Sequence, residues 1–235
     1  MPGLARFGSF RSSSSATGEG RSKAAALLGT ETNGFAIHFG DMSMVIRDTT
    51  TPANNYSGSP AAKLLGTTLN RVASGLSLGA SDNVYLPTSV FPYSATAFTL
   101  IAEASTTALS LNSVLAFNSS GTYAAGSGAL LRISNNAAVD AGGNSSSVVK
   151  TVSPVLTAGQ MIKVAASLRT SDNSMSVTNR GQAVATVTTG DWNGTSNRLQ
   201  FGAITSGGAQ ALVGVLGWVI FLPRYDTSIC ASQTA

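Results

Sequence analysis

Residues 161–223, MIKVAASLRTSDNSMSVTNRGQAVATVTTGDWNGTSNRLQFGAITSGGAQALVGVLGWVIFLP, decide the fold, because strands, turns and one long apolar segment follow each other there. In MIKVAASLR, Ile162, Val164, Ala166 and Leu168 share one face while Lys163, Ser167 and Arg169 take the other. A period of two with one apolar face describes a half-buried strand. TSDN turns the chain into SMSVT, with Met175 and Val177 inward, and Asn179-Arg180-Gly181 turns it again into QAVATVT. Two hairpins in close order result. RLQFGAI follows with Leu199 and Phe201 on one face, and then Leu212–Leu222, apolar at almost every position. A strand buried on both faces accounts for that last segment and makes Trp218 a core residue. Ala209–Leu222 is also the one stretch that approaches a membrane span. It falls short of the roughly 20 residues required, and Gly214 and Gly217 interrupt it, so no membrane is expected as a partner.

Working outward, the same alternation recurs. Phe35, Ile37 and Phe39 alternate with Ala36 and His38, and Met42, Met44 and Ile46 repeat the pattern after Gly40. Two strands or one bulged strand fit. FTLIAEAS puts Phe98, Leu100 and Ala102 on one face, LNSVLAFNS adds Val114 and Ala116, and ALLRISN turns Leu131 and Ile133 inward with Arg132 outward. Residues 61–90 are the least readable; AAKLL and LNRVASGL are each too short for a helix. The count is roughly eight to twelve short strands, which points to a two-sheet sandwich with little helix.

Composition agrees. Of 235 residues, 10% are charged and 43% hydrophobic, and the 25 glycines suit many tight turns. Residues 1–30 hold four cations (Arg6, Arg11, Arg21 and Lys23) against Glu19, which accounts for most of the +4 formal charge. That segment is a basic Gly/Ser-rich arm with too few apolar residues to close a core. Phe7 and Phe10, three positions apart, could anchor it to a neighbouring subunit. Four dispersed cations do not make a nucleic-acid footprint, which clusters its charge, so no nucleic acid is expected. Residues 31–235 form one sandwich domain. Cys230 is the single cysteine, so a disulfide within the chain is excluded.

Reactive groups are few. His38 is the sole histidine, no Gly-x-Ser-x-Gly elbow accompanies it, and the chain is not expected to be an enzyme. A glycosidase would need paired carboxylates, and Glu103, the only nominee, stands alone on the outward face of its strand. The acids near Asp140 and Asp172 read as Asx-turns and not as a calcium loop, so neither a metal nor another cofactor is expected. The loop carrying Asp191, Trp192 and Asn193 is the candidate ligand site, because an exposed indole beside Asp and Asn can stack on a sugar ring.

KVAASLRTSDNSMSVTNRGQAVATVTTGDWNGTSNRLQFGA followed by ALVGVLGWVIFLPRYDTS resembles the second half of concanavalin A-like, laminin-G-like jelly rolls. The matching features are Val164-Ala165 with Ser167, Met175 to Val177 with Gly181, Leu199 to Gly202, and Gly214 or Gly217 through Pro223-Arg224. More narrowly, the stretch is similar to the C-terminal domain of tailed-bacteriophage structural proteins such as head fibres and spikes, over residues 91–228. The tail TSICASQTA lacks the apolar periodicity of the helix that often follows in that family. The resemblance implies an all-β, two-sheet antiparallel jelly-roll sandwich, concanavalin A-like, with an extended N-terminal arm. It further implies a virion location, as a homo-oligomeric, for instance trimeric, fibre, spike or decoration subunit. In that role the arm (Arg6, Phe7, Phe10, Arg11, Arg21, Lys23) docks on other virion proteins. The alternative is a lectin-like protein that recognises a surface glycan.

Overall fold

The alternation of Phe35, Ile37 and Phe39 with Ala36 and His38 becomes the hairpin β1 (Gly34–His38) and β2 (Ser43–Arg47), closed by a turn in which Met42 adopts φ 54°. The computed structural model describes residues 23–58, 63–65, 70–80, 82–86, 96–107, 112–117, 129–133, 139–143, 149–152, 157–179, 185–187, 199–202 and 211–235. Among them the strands continue as β3 (Tyr56–Gly58), β4 (Lys63–Leu65), β5 (Asn70–Val72), β6 (Gly75–Leu78), β7 (Asn83–Leu86) and β8 (Ala97–Thr106). Then come β9 (Asn112–Phe117), β10 (Ala129–Ile133), β11 (Val139–Gly143), β12 (Val149–Val152), β13 (Ile162–Arg169) and β14 (Ser174–Asn179). The last strands are β15 (Ala185–Val187), β16 (Leu199–Phe201) and β17 (Gly214–Leu222), and two helices, α1 (Lys23–Leu28) and α2 (Thr227–Thr234), flank the series.

The strands form two antiparallel sheets. The larger, ten-stranded sheet runs β15-β14-β13-β8-β17-β1-β2-β3, with β6 on β17 and β5 on β6; the seven-stranded sheet runs β12-β11-β10-β9-β16-β7-β4. The inward faces meet in one core that holds Phe35, Ile37, Met44, Phe98, Leu100, Val164, Leu168, Val177, Leu199, Phe201, Val219 and Phe221. Phe221 stacks between Phe35 and Phe98, at 5.3 and 5.7 Å between ring centroids, and Phe39 meets Phe201 of the opposite sheet edge-on. These residues keep the faces that their alternation predicts, because a one-residue slip would turn a whole apolar face to water.

The structure departs from the sequence reading at several places, among them Asp140, which lies in β11 opposite Arg132 and not in an Asx-turn. The stretch 61–90 supplies the short strands β4 to β7, and the strands among the described residues exceed the expected number. Leu115 and Phe117 pair with the core residues Phe201 and Leu199, so the register is one position out of step with the expected Val114 and Ala116. Residues 23–30 belong to the folded body and not to a free arm: Ala24 and Leu28 of α1 are buried, and Gly29 ends the helix at φ 57°. The tail 227–235 is helical, because the Asp226 side chain accepts from the Ser228 and Ile229 amides as an N-cap. Trp218 is buried, but it lies outside the sandwich core.

That last point reflects a second apolar layer. Ala36, Val45, Ile101, Ala165, Trp218, Ile220 and Leu222 project from the outer face of the ten-stranded sheet, where Ala24, Leu28 and Cys230 of the two helices cover them. The apolar return segment is therefore a strand buried on both faces, as its composition predicts. No helix among the described residues is long and apolar enough to cross a membrane.

Candidate ligand cleft between the two helices

Five strands carry one aligned row of side chains across the outer face of the larger sheet. The register pairs Lys163 with Glu103, Glu103 with Trp218, Trp218 with His38, and His38 with Ser43. Directly opposed residues of antiparallel strands point to the same side. A carboxylate, an indole and an imidazole thus stand next to one another.

A bulge makes this row. In β17 the register steps from Leu216 opposite Ala104 to Trp218 opposite Glu103, so Gly217 is the extra residue. In a regular strand Trp218 would share the parity of Leu216 and enter the core; with the bulge, Val219 and Phe221 face inward and Trp218 faces out. The Gly217 carbonyl accepts from the Phe39 amide at 2.9 Å, which fixes the bulge against the β1–β2 turn. A Cβ at Gly217 would lie 3.0 Å from both Glu103 Oε2 and Met161 Cε, and 3.1 Å from the Ser74 carbonyl.

The helices turn this row into a cleft. α1 packs over β1, β2 and β17, and α2 over β8, β13 and β14. Between them lies a space of about 630 Å³, floored by Ile101, Glu103, Trp218 and Ile220 and walled by Leu27 and Ile229, with Lys23, His38 and Gln233 also lining it. Trp218 is 8% exposed. On the far side of Glu103 a second hollow of about 330 Å³ is lined by Gln160, Met161 and Lys163.

Each polar group is held differently. His38 Nδ1 lies 3.1 Å from Asp41 Oδ1, and no bond engages its Nε2 among the described residues. Burial pushes the Asp41 carboxyl up, but hydrogen bonds from the Ser43 hydroxyl and amide, together with His38, outweigh it and hold the group below its ordinary value. Ser43 Oγ also accepts from the Ala24 amide, tying α1 to this end of the row. Glu31, which follows α1 and lines the cleft, takes two bonds from Arg224, at 2.7 and 2.9 Å, and these lower its pKa. Arg224 also reaches Asp226. Lys163 donates to the Ala235 carbonyl at 3.0 Å. Glu103 forms no hydrogen bond or ion pair among the described residues.

The predicted site residues fare differently. Asp191, Trp192 and Asn193, and the arm residues Arg6, Phe7, Phe10, Arg11 and Arg21, lie outside the described residues. Lys23 is the exposed first residue of α1, on the rim of the cleft. Glu103 faces outward as predicted, yet it is half-buried beside Trp218 and not freely solvated. Asp172 forms the expected Asx-turn, accepting from the Ser174 amide and from Arg169. No group of three His, Cys, Asp or Glu residues among the described residues could hold a metal ion. Sequence reasoning missed Trp218 because strand parity cannot reveal a bulge. The signal was Gly217 immediately before it.

No protein-family model matches the chain, and no curated protein matches its sequence. Solved structures share its fold. The CBM40 of Ruminococcus gnavus IT-sialidase bound to α2,3-sialyllactose superposes with a TM-score of 0.50 at 15% identity, over 63% of this chain and 86% of that one. Trypanosoma rangeli sialidase in complex with the inhibitor DANA gives 0.58 at 16% identity, over 86% of this chain and 32% of that one. The same sialidase with sialic acid gives 0.55 at 16%. The chain spans about a third of the sialidase length. Likeness at this level of identity establishes a jelly-roll-like β-sandwich and nothing finer.

Proposed function

We propose that a sandwich of this kind, with an indole set between a carboxylate and an imidazole, is a carbohydrate-binding module that takes its saccharide over Trp218. The row Glu103-Trp218-His38 at the floor of a walled cleft is the observation that carries the reading. A pyranose offers an apolar C–H face to an indole and a rim of hydroxyls to polar groups beside it. Glu103 accepts, Gln233 does both, and His38 Nε2 serves as either. The fold neighbours, a CBM40 bound to sialyllactose and a sialidase in complex with sialic acid, support this reading. Binding fits better than hydrolysis, because a glycosidase works with two free carboxylates. Here Glu31 is committed to Arg224, which leaves Glu103 single.

Titrating the full chain against a glycan panel tests the proposal. Trp218→Phe should weaken binding about tenfold, the scale of a lost stacking and packing contact, while Trp192→Ala leaves it unchanged. The reverse result moves the site to the 191–193 loop. Failure to bind any glycan at high concentration removes the reading.

The phage-protein resemblance and the basic segment ahead of α1 favour a second reading of where such a module works. In it the chain is a homo-oligomeric fibre, spike or decoration subunit in a virion, attached to other virion proteins through Arg6, Phe7, Phe10, Arg11 and Arg21. Undiminished particle incorporation of a chain lacking residues 1–22 would rule out that role for the arm.

A further inference from the structure

Taking the cleft as a saccharide site, we infer that it selects an amine-bearing sugar, with the ammonium on Glu103 and the ring on Trp218, and disfavours acidic sugars. Glu103 is the source of this preference. It is half-buried and has neither a hydrogen bond nor an ion pair among the described residues, and a partly desolvated carboxylate in that state attracts a cation strongly. Its Oε2 lies over the Gly217 bulge, toward the strand of Trp218. Lys163, the cation in register with it on the other side, donates instead to the Ala235 carbonyl. The indole adds to the same preference, because a cation near its ring is attracted by the negative π-face.

The guanidiniums that would best meet an acidic sugar are already engaged. Arg224 and Arg47 are guanidiniums bonded to residues of the cleft lining; Arg224 is held by Glu31 and Asp226, and Arg47 donates to the Gly29 and Glu31 carbonyls. Lys23 stands on the rim, and His38 is backed by the Asp41 carboxylate. An anionic ligand would therefore set its charge beside Glu103 with no guanidinium to meet it. The whole chain carries a formal charge of +4, so general attraction does not draw a cationic ligand; a preference for one must be local.

Calorimetry on the full chain can separate the cases. The probes are a β1,4-linked glucosamine tetramer with free amines, its fully N-acetylated counterpart, and α2,3-sialyllactose. The buffer is mildly acidic, so that the amines are protonated, but stays above the carboxylate range. The expected result is at least tenfold tighter binding of the free-amine tetramer than of either other probe, the scale of one charge-assisted bond. Glu103→Gln should abolish that preference, bringing the free-amine and N-acetylated tetramers to within about twofold of each other, with an unchanged melting temperature as control for folding. Equal affinity for the two tetramers, a preference that survives Glu103→Gln, or tighter binding of sialyllactose would each overturn the inference and leave the saccharide reading standing. Absence of binding to all three, and to the wider glycan panel, overturns both.

Discussion

Gly217 is the residue on which the cleft depends. It contributes the extra position that turns Trp218 outward, and its missing Cβ leaves room for Glu103 and Met161. Gly217→Ala places a methyl 3.0 Å from both neighbours, so about 1–3 kcal/mol of stability should be lost to overpacking. Urea unfolding measures that loss, and the glycan affinity should fall with it as Glu103 is displaced. An affinity unchanged by the substitution would detach the bulge from the site. Asp226 is the second decisive residue. Burial raises its carboxyl pKa, but bonds from Ser228, the Ile229 amide and Arg224 outweigh this, and the folded-state value lies below the ordinary one. A depressed carboxylate contributes stability that is present above its unfolded pKa of about 3.9 and is lost as pH falls through the folded value. Asp226→Ala should therefore cost about 1 kcal/mol at neutral pH, the usual worth of an N-cap. The gap from the parent chain should close as the pH drops below about 4. A pH-independent gap would count against the cap as its source.

At the scale of elements, the two helices do what the strands cannot. β17 presents apolar residues on both faces, and the opposing sheet can cover only one of them; α1 and α2 cover the other. Neither helix announces itself by amphipathic periodicity, since each is short and buries few residues: Ala24 and Leu28 in α1, Cys230 and Thr234 in α2. Their ends are the legible part, with Gly29 closing one and Asp226 opening the other. Cys230 tests the docking of α2. It is fully buried, and burial pushes its thiol up to about 12. A thiol-specific disulfide reagent at mildly alkaline pH should leave it unmodified in the native chain and modify it fully in denaturant. Fast native labelling would mean that α2 does not stay docked. With the thiol buried in this way, a bridge to a partner chain would require α2 to undock.

Across the whole molecule, the ends of the described chain meet. Arg224 after β17 bridges to Glu31 after α1, and Arg47 donates to the Gly29 and Glu31 carbonyls, so the N-terminal helix is tied to the last strand and to β2. Residues 23–30, which the sequence reading gives to the arm, are thus part of the folded body. Removing residues 1–22 should leave the melting temperature unchanged. Removing residues 1–30 should lower it by several degrees, because Leu28 alone withdraws about 1.5–3 kcal/mol of burial and the outer layer is uncovered. Equal melting of the two truncations would show that α1 adds nothing to the fold. Much of this architecture was legible beforehand. Alternation at Phe35–Phe39, Phe98–Ala102, Ile162–Leu168 and Met175–Val177 is local and has a period of two, so the strands, their inward faces and the sandwich class follow from the sequence by itself. Which face of β17 carries Trp218, and which strands bring Glu103 and His38 beside it, depend on a single inserted residue and on pairings between segments more than a hundred residues apart. Only the tertiary structure decided those, because register across a sheet arises from non-local hydrogen bonding that no local pattern encodes.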